Sequence, residues 1–211
     1  MALFGDNNPS ILFRPADGRT ADGGYRGFED FCVLNSIGTN LKYNGSYESR
    51  IFKRIDEFTG LDIKGASAMK RNAFILMAIN CAIRNGDAHL KNFGLLYDDP
   101  EGRVELAPVY DLVTTSVYMP GDSMALTMGG STRWPDAKKL SQFGQIRAGF
   151  SKYEIGQIFA SIADAMSDVT KEMTVWFSAQ NPEFGEKLVA VWAEGLKSSL
   201  GVVHGYSSPS P

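Results

Sequence analysis

The sequence predicts a mainly α fold of the α+β class, with one small β-hairpin set among helices. Three observations lead to this prediction. Residues 66–84 form a long apolar segment with helical periodicity. Residues 93–97 and 104–107 are two short apolar runs separated by a turn-forming stretch. From residue 151 onward, apolar side chains recur every three or four positions, which is typical of amphipathic helices.

Length and composition limit the class of protein. A chain of 211 residues, 44% of them hydrophobic, can build one modest domain with a real core. The net charge of -3 and the pI near 5.4 give no basic footprint for nucleic acid, so we expect no direct nucleic-acid partner. Cys32 and Cys81 are too few for a disulfide framework, and with His89 and His204 they lack the spacing of a zinc site.

We expect a cytoplasmic protein with no membrane partner. The first residues contain neither a basic segment nor an apolar run, so the sequence predicts no signal peptide. The apolar segment 66–84 is too short to span a bilayer, and Lys70, Arg71 and Asn80 interrupt it.

The segment 66–84 is predicted to be a buried helix, because it is apolar on two faces. One stripe comprises Phe74, Met77, Ala78 and Cys81, and the other comprises Ile75, Ile79, Ala82 and Ile83. The helix should end at Arg84, Asn85 and Gly86, which together are a turn signal. Residues 93–97 and 104–107 then form the hairpin, with the turn at 98–102. The polar loop between helix and hairpin therefore has a rigid base.

Four further helical segments are predicted. Ser46 is the expected N-cap of the first, residues 151–154 have a capping-box pattern that opens the second, residues 170–176 form a third, and Asn181 with Pro182 starts the last. The side chains assigned to the core are Tyr47, Ile51, Ile55 and Phe58 in the first, Ile155, Ile158, Phe159, Ile162 and Met166 in the second, and Phe184, Leu188, Val191, Trp192 and Leu196 in the last.

Three oxygen-bearing side chains are the strongest candidates for chemistry. Asp87 precedes Asn92 by five positions, and Asp111 follows the hairpin. Protein kinases use this order for an Asp that accepts the substrate hydroxyl proton, an Asn that binds magnesium, and a second Asp that binds magnesium between the phosphates. Magnesium prefers oxygen ligands and is usually held by only one or two side chains. The alternative is that these residues are turn formers, since Asp and Asn hydrogen-bond their own backbone.

The segments 85–92 and 106–111 resemble the signature of the HipA-like serine/threonine kinases, bacterial toxins of toxin–antitoxin systems. Segments 27–32 and 42–48 resemble the start of the C-terminal domain of that family, and the likeness covers about residues 25–200. The resemblance implies a protein-kinase-like C-lobe that uses ATP and Mg²⁺ to phosphorylate a protein. It implies that Asp87 is the catalytic base and that Asn92 and Asp111 are the metal ligands.

Two loop residues are tentative cofactor-binding candidates. His89 stands where eukaryotic kinases carry a lysine, and its imidazole could shuttle a proton or orient the loop by hydrogen bonding. Lys91 could neutralise a phosphate or be a solvated loop charge.

Three other features have both a functional and a structural interpretation, with the structural one preferred. The cluster Lys42, Tyr43, Ser46 and Tyr47 is assigned to a helix start, residues 128–131 to a flexible turn, and Trp134, beside Arg133, to packing.

The sequence contains no glycine-rich phosphate loop and no strand lysine of the kind that a kinase N-lobe supplies. We therefore expect an irregular segment at 1–24, a HipA-like C-lobe at 25–200, a flexible tail at 201–211 and no N-lobe. This predicts a truncated product, a recombinant fragment or half of a split system. The expected partners are a protein substrate and a HipB-like antitoxin or a separate N-lobe. The alternative function is a non-catalytic lobe that binds an antitoxin or an N-lobe.

Overall fold

The computed structural model describes residues 25–202, which fold as a helical unit with one small sheet. The strands are β1 (Gly27–Asp30), β2 (Gly94–Tyr97) and β3 (Val104–Leu106). The helices are α1 (Phe31–Leu34), α2 (Lys53–Thr59), α3 (Ile63–Ile83), α4 (Ala137–Ala148), α5 (Lys152–Gln180) and α6 (Pro182–Gly195). Short 3₁₀ turns lie at Thr39–Leu41, Leu90–Asn92 and Thr115–Val117, and π-helical turns at Glu48–Phe52 and Leu196–Leu200. The predominance of helix confirms the predicted fold class.

Helix α3 is the buried helix that the apolar stripes predict. Every residue from 73 to 82 is at most 8% exposed. The helix begins earlier than predicted, because the carboxylate of Asp62 accepts the Gly65 N–H at 2.9 Å and caps it. It ends at Arg84, whose φ of 58° is left-handed, as the turn signal indicates. The polar loop therefore starts from the most buried element of the described chain.

The sheet contains the predicted hairpin and one additional strand. Strands β2 and β3 pair antiparallel, with Leu95 opposite Leu106. Strand β1 pairs on the other side of β2, with Phe28 opposite Leu96, so β2 is central. The prediction of a hairpin alone was incomplete, because residues 27–30 are short and lack an alternating apolar pattern. The last residue of β1, Asp30, accepts the N–H groups of Cys32 and Val33 and starts α1.

The C-terminal half differs from the prediction at one point. Residues 152–180 form a single helix of 29 residues, so the separate helix predicted at 170–176 is wrong. Thr170 does not cap a new helix, because its hydroxyl donates to the carbonyl of Met166 within the same helix at 2.6 Å. The capping box at Ser151 and Glu154 is confirmed. The start of α6 is also confirmed, with Asn181 accepting from the Phe184 N–H and Pro182 in the first turn.

The first predicted helix is confirmed in place but not in every contact. Ser46 Oγ accepts the Ser49 N–H at 3.1 Å, as an N-cap does. Tyr47, Ile51 and Ile55 are at most 2% exposed, whereas Phe58 is 45% exposed and is wrongly assigned to the core. Phe58 lies in the last turn of α2, next to the end of the helix at Thr59.

Several predictions fall at the edges of the described chain. The predicted irregular segment at 1–24 lies outside the described residues. Of the predicted tail at 201–211, only Gly201 and Val202 are described, and Val202 packs against the core. Cys32 and Cys81 are buried free thiols. No helix in the range 25–202 combines the length and apolarity needed to cross a bilayer.

Candidate active site

Asn85 connects the end of α3 to the two aspartates of the predicted motif. Its backbone N–H donates to the carbonyl of Asn80 at 2.9 Å, and its side-chain nitrogen donates to Asn80 Oδ1 at 2.8 Å. The same nitrogen donates to the backbone carbonyl of Asp111 at 3.3 Å. Its oxygen accepts the backbone N–H of Asp87 at 3.1 Å. One buried amide therefore ties Asp87 and Asp111 to the core helix.

The structure brings Asn92 and Asp111 into direct contact. Asn92 Nδ2 donates to Asp111 Oδ2 at 2.7 Å, and Asn92 is only 7% exposed. Its amide oxygen accepts the backbone N–H of His89 at 2.9 Å, which closes the short turn of the loop. Asp111 has a left-handed backbone with φ of 58°, a conformation that Asn and Asp adopt more readily than other side chains. The spacing of Asn92 and Asp111 in the sequence thus corresponds to proximity in space.

The donor set fits magnesium in part. Asp111 offers a carboxylate at the edge of the loop, the type of ligand that Mg²⁺ prefers. The oxygen of Asn92 is turned toward the His89 N–H, but an amide oxygen has a second lone pair and can accept one hydrogen bond and bind a cation together. Within residues 25–202, no three His, Cys, Asp or Glu side chains converge as a metal cage would require. A site of this kind needs phosphate oxygens and water to complete an octahedron.

Tyr43 is a site residue that the sequence did not identify. Its hydroxyl donates to Asp87 Oδ1 at 2.5 Å, although the two residues are far apart in the chain. The hydrogen bond to Asp87 is the main reason that the pKa of Tyr43 rises to about 12, with burial and the Asp87 charge adding to it. The carbonyl of the preceding Lys42 accepts the Leu90 N–H at 3.1 Å, so the segment is tied to the loop. The polar–aromatic cluster at 42–47 was the available signal, and it was assigned to a helix start.

Removing the carboxylate of Asp87 should return the pKa of Tyr43 from about 12 toward the ordinary value of ~10, since a phenolate beside a carboxylate is disfavoured. Tyr43 in Asp87→Ala should therefore be largely ionised at a pH of ~11, where the native phenol is still protonated. Carbon-13 NMR of labelled tyrosine rings measures this, and Tyr43→Phe identifies the signal. Equal ionisation in both proteins would show that the hydrogen bond does not form in solution.

His89 lies beside Asp87 as a neutral ring. Burial lowers the pKa of His89, and the nearby Asp87 charge only partly offsets that effect. Its Nε2 is 3.9 Å from Asp87 Oδ1, which is too long for a hydrogen bond and is not an ion pair while the ring is neutral. The ring packs edge-on against Tyr43, with centroids 5.2 Å apart. Its Nδ1 is buried and has no hydrogen-bond partner among residues 25–202. His89 therefore contacts the Tyr43–Asp87 pair by packing.

Lys91 is held by an ion pair. Its Nζ lies 2.5 Å from Asp30 Oδ2, so it joins the loop to the end of β1. Burial would raise the pKa of Asp30, but the hydrogen bonds from Lys91 and from the N–H groups of α1 outweigh burial and lower it. A phosphate that used Lys91 would have to compete with Asp30. Its side chain is 37% exposed, so the charge is paired with Asp30 and still partly solvated.

The remaining predicted features behave as structural elements. Residues 128–131 form a turn in which Gly129 and Gly130 have positive φ values of 58° and 79°. Trp134 is packed, as predicted: its Nε1 donates to the Asp122 carbonyl at 2.9 Å, and the Arg84 guanidinium lies 4.9 Å from the ring centroid. Thr115 was not anticipated. It accepts the Gly86 N–H at 2.6 Å and so supports the loop from its far side.

Together, the buried helix, the loop with Asp87 and Asn92, the hairpin and Asp111 define a protein-kinase-like C-lobe. The family model of the HipA-like C-terminal domain matches residues 16–170, which is well over half of the chain. The chain belongs to the HipA-like C-terminal domain family.

Known relatives and solved structures agree with this assignment. Two relatives from Sinorhizobium fredii have provisional kinase names: Y4dM is 28% identical over 75% of the chain, and Y4mE is 33% identical over 43% of it. The chain spans only 36% and 21% of their lengths.

The fold is similar to HipA in its complex with HipB and operator DNA from Shewanella oneidensis, with a TM-score of 0.59 and 20% identity over 84% of the chain. It is also similar to the proinflammatory kinase CtkA of Helicobacter pylori, with a TM-score of 0.54 and 13% identity over 84% of the chain. The chain corresponds to 45% of the HipA chain and 70% of the CtkA chain.

Proposed function

We propose that this chain is the catalytic C-lobe of a HipA-like kinase, which transfers the γ-phosphoryl group of ATP to a serine or threonine hydroxyl of a protein. One observation carries the proposal. Asn85 bonds the backbones of Asp87 and Asp111, and Asn92 bonds the Asp111 carboxylate, so the three motif residues share one network. Turn-forming residues would need only local hydrogen bonds, whereas the two contacts with Asp111 join positions 26 and 19 residues apart.

Each residue has a role that follows from its position. Asp87 would accept the proton of the attacking hydroxyl, and its side chain is 39% exposed and thus open to a substrate. Asp111 and Asn92 would hold Mg²⁺, which when bound neutralises charge on the phosphates. Asn85 and Thr115 would position the loop through their bonds to the backbone N–H groups of Asp87 and Gly86. The chemistry then depends mainly on placement and charge, as phosphoryl transfer requires.

The contact between Tyr43 and Asp87 adds a condition to this mechanism. The phenol donates to one oxygen of the carboxylate that a substrate hydroxyl would use. A substrate must therefore displace Tyr43 or use the other oxygen of Asp87. The same contact favours the alternative function, a non-catalytic lobe that binds an antitoxin or a separately supplied N-lobe. A HipB-like antitoxin is the natural partner in either case, since the similar HipA chain is found with HipB and operator DNA.

Nucleotide binding by the 211-residue chain tests the proposal. A kinase C-lobe leaves the adenine uncovered without an N-lobe, so we expect only weak binding of Mg²⁺ and ATP, with a dissociation constant above ~1 mM. Isothermal titration with and without a matching N-lobe measures the difference. We expect micromolar affinity only with the N-lobe. Micromolar binding by the chain alone would contradict the expected division of the site, and no binding in either sample would favour the non-catalytic alternative.

The metal ligands can be ranked by substitution. Asp111→Asn should weaken Mn²⁺ binding in the presence of nucleotide more than Asn92→Ala does, since it removes the only charged ligand. Asparagine is the better substitution at position 111, because it tolerates the left-handed backbone there. Electron paramagnetic resonance of free Mn²⁺ gives the affinities. Asp168→Asn, on an exposed part of α5, is the control for loss of one carboxylate. An equal or reversed ranking would mean that these residues are not metal ligands.

A further inference from the structure

A pocket of about 380 Å³ lies apart from the residues of the candidate active site. It opens between the turn at 128–131 and helix α4. Its rim contains three cations, Arg133, Lys139 and Arg147. Its walls include Trp134 and Phe143. None of these residues belongs to the network around Asp87 and Asp111, so the pocket needs its own explanation.

The charge of the pocket is opposite to that of the chain. Three cations and one carboxylate, Glu48, line it, which gives a local charge of 3 − 1 = +2 in a chain whose net charge is -3. None of the three cations has an ion-pair partner among residues 25–202. Unpaired cations that converge on a concave surface attract an anionic ligand.

Glu48 restricts the kind of anion. Its Oε1 accepts the Gly129 N–H at 2.8 Å, and its Oε2 is buried with no hydrogen-bond partner within the described chain. The Glu48 carboxylate places one negative charge beside the three cations, which disfavours a compact dianion such as inorganic phosphate. A peptide carries single carboxylates spaced among apolar side chains and suits this mixed lining.

The pocket walls are apolar and fixed in place. Trp134 is held by its bond to the Asp122 carbonyl and by Arg84 against its ring. Phe143 is 7% exposed and packs edge-on against Phe52 with centroids 5.1 Å apart. At the rim, Ile146 is 76% exposed. Rigid aromatic walls beside unpaired cations suit an apolar side chain flanked by carboxylates.

We propose that this pocket is a docking site for an extended acidic peptide segment of a partner protein, with an apolar side chain against Trp134 and Phe143. The site is independent of the proposed phosphoryl transfer, since it uses none of those residues. The carboxylates of the segment pair with Arg133, Lys139 and Arg147.

A matched pair of variants tests this docking site in the full chain. Lys138 and Lys139 are neighbours in the first turn of α4, both are exposed, and only Lys139 lines the pocket. The probe is a short fluorescein-labelled peptide that alternates glutamate and leucine, with a lysine–leucine peptide as its charge control. By fluorescence anisotropy, Lys139→Glu should weaken binding of the acidic peptide by about tenfold or more, and Lys138→Glu by less than about twofold.

Melting temperatures of both variants show whether each is folded. Three results would overturn the proposal: no binding of the acidic peptide, equal losses in the two variants, or displacement of the peptide by millimolar inorganic phosphate. Tighter binding of single-stranded DNA than of the peptide, lost in the same variant, would also overturn it, because the pocket would then recognise nucleic acid.

Discussion

Asp87→Asn is expected to lower phosphoryl transfer at least about a hundredfold in a two-lobed kinase assembled from this chain and a matching N-lobe. A positioned general base contributes about 10²–10⁴-fold, and an amide of the same shape cannot take the proton of the attacking hydroxyl. Incorporation of labelled γ-phosphate into protein measures the rate. Folding and nucleotide binding should be almost unchanged, because asparagine can still accept the hydrogen bond from Tyr43.

The design of this experiment separates chemistry from folding. Rate and melting temperature are measured on the same sample, and Asp168→Asn on the exposed face of α5 is the control for the same chemical change. A surviving rate would remove Asp87 from the mechanism and with it the central residue of the kinase assignment. A collapse of both quantities would assign Asp87 to loop closure. Only loss of rate at constant melting temperature supports a catalytic base.

The elements that could be predicted from the sequence are those whose pattern is complete within a short window. Helix α3 has two apolar stripes and a turn signal at its end, and the structure confirms it to within a few residues. The hairpin has two apolar runs around a turn, and the capping box at Ser151 satisfies both partners within four residues. In each case local hydrogen bonds and burial require the same conformation.

The missed elements depend on partners elsewhere in the chain. Strand β1 exists because β2 offers an unpaired edge, and residues 27–30 alone carry no strand pattern. Helix α5 continues past Thr170, whose hydroxyl bonds back to Met166 inside the helix, and the sequence leaves open whether a helix ends there. Local pattern cannot decide between a helix that restarts and a helix that continues.

The candidate site also contains both residues that a local pattern predicts and residues whose contacts come from distant parts of the chain. Asp87, Asn92 and Asp111 were identified from the sequence as candidates, because their order and spacing match those of kinase site residues. Tyr43 was not, since it reaches Asp87 from 44 positions away. The ion pair between Lys91 and Asp30 spans 61 positions, so no short sequence pattern predicts it either. The neighbours of a candidate residue are set by the fold, whereas the sequence pattern specifies only the residue itself.

Gly195→Ala is expected to destabilise the protein by about 1–3 kcal/mol, the usual effect of forcing extra atoms into a packed interior. Gly195 ends α6 against the end of α3, and a Cβ there would lie 2.0 Å from the Ala82 carbonyl oxygen and 2.8 Å from its carbon. Backbone atoms of a buried helix cannot move aside as a flexible side chain would. Alanine has the better helix propensity, so the close approach is the reason for the loss.

Gly156→Ala on α5 is the matched control, because a Cβ at that position meets no atom within 4 Å. It should raise the free energy of unfolding by about 0.5–1 kcal/mol through helix propensity alone. Urea unfolding followed by circular dichroism measures both variants. Opposite signs are expected, and equal stabilisation would mean that α6 does not approach α3 as described.

Because α3 also anchors Asn85, Gly195→Ala should in addition lower the pKa of Tyr43 from about 12, by loosening its contact with Asp87. Gly156→Ala should leave that pKa unchanged.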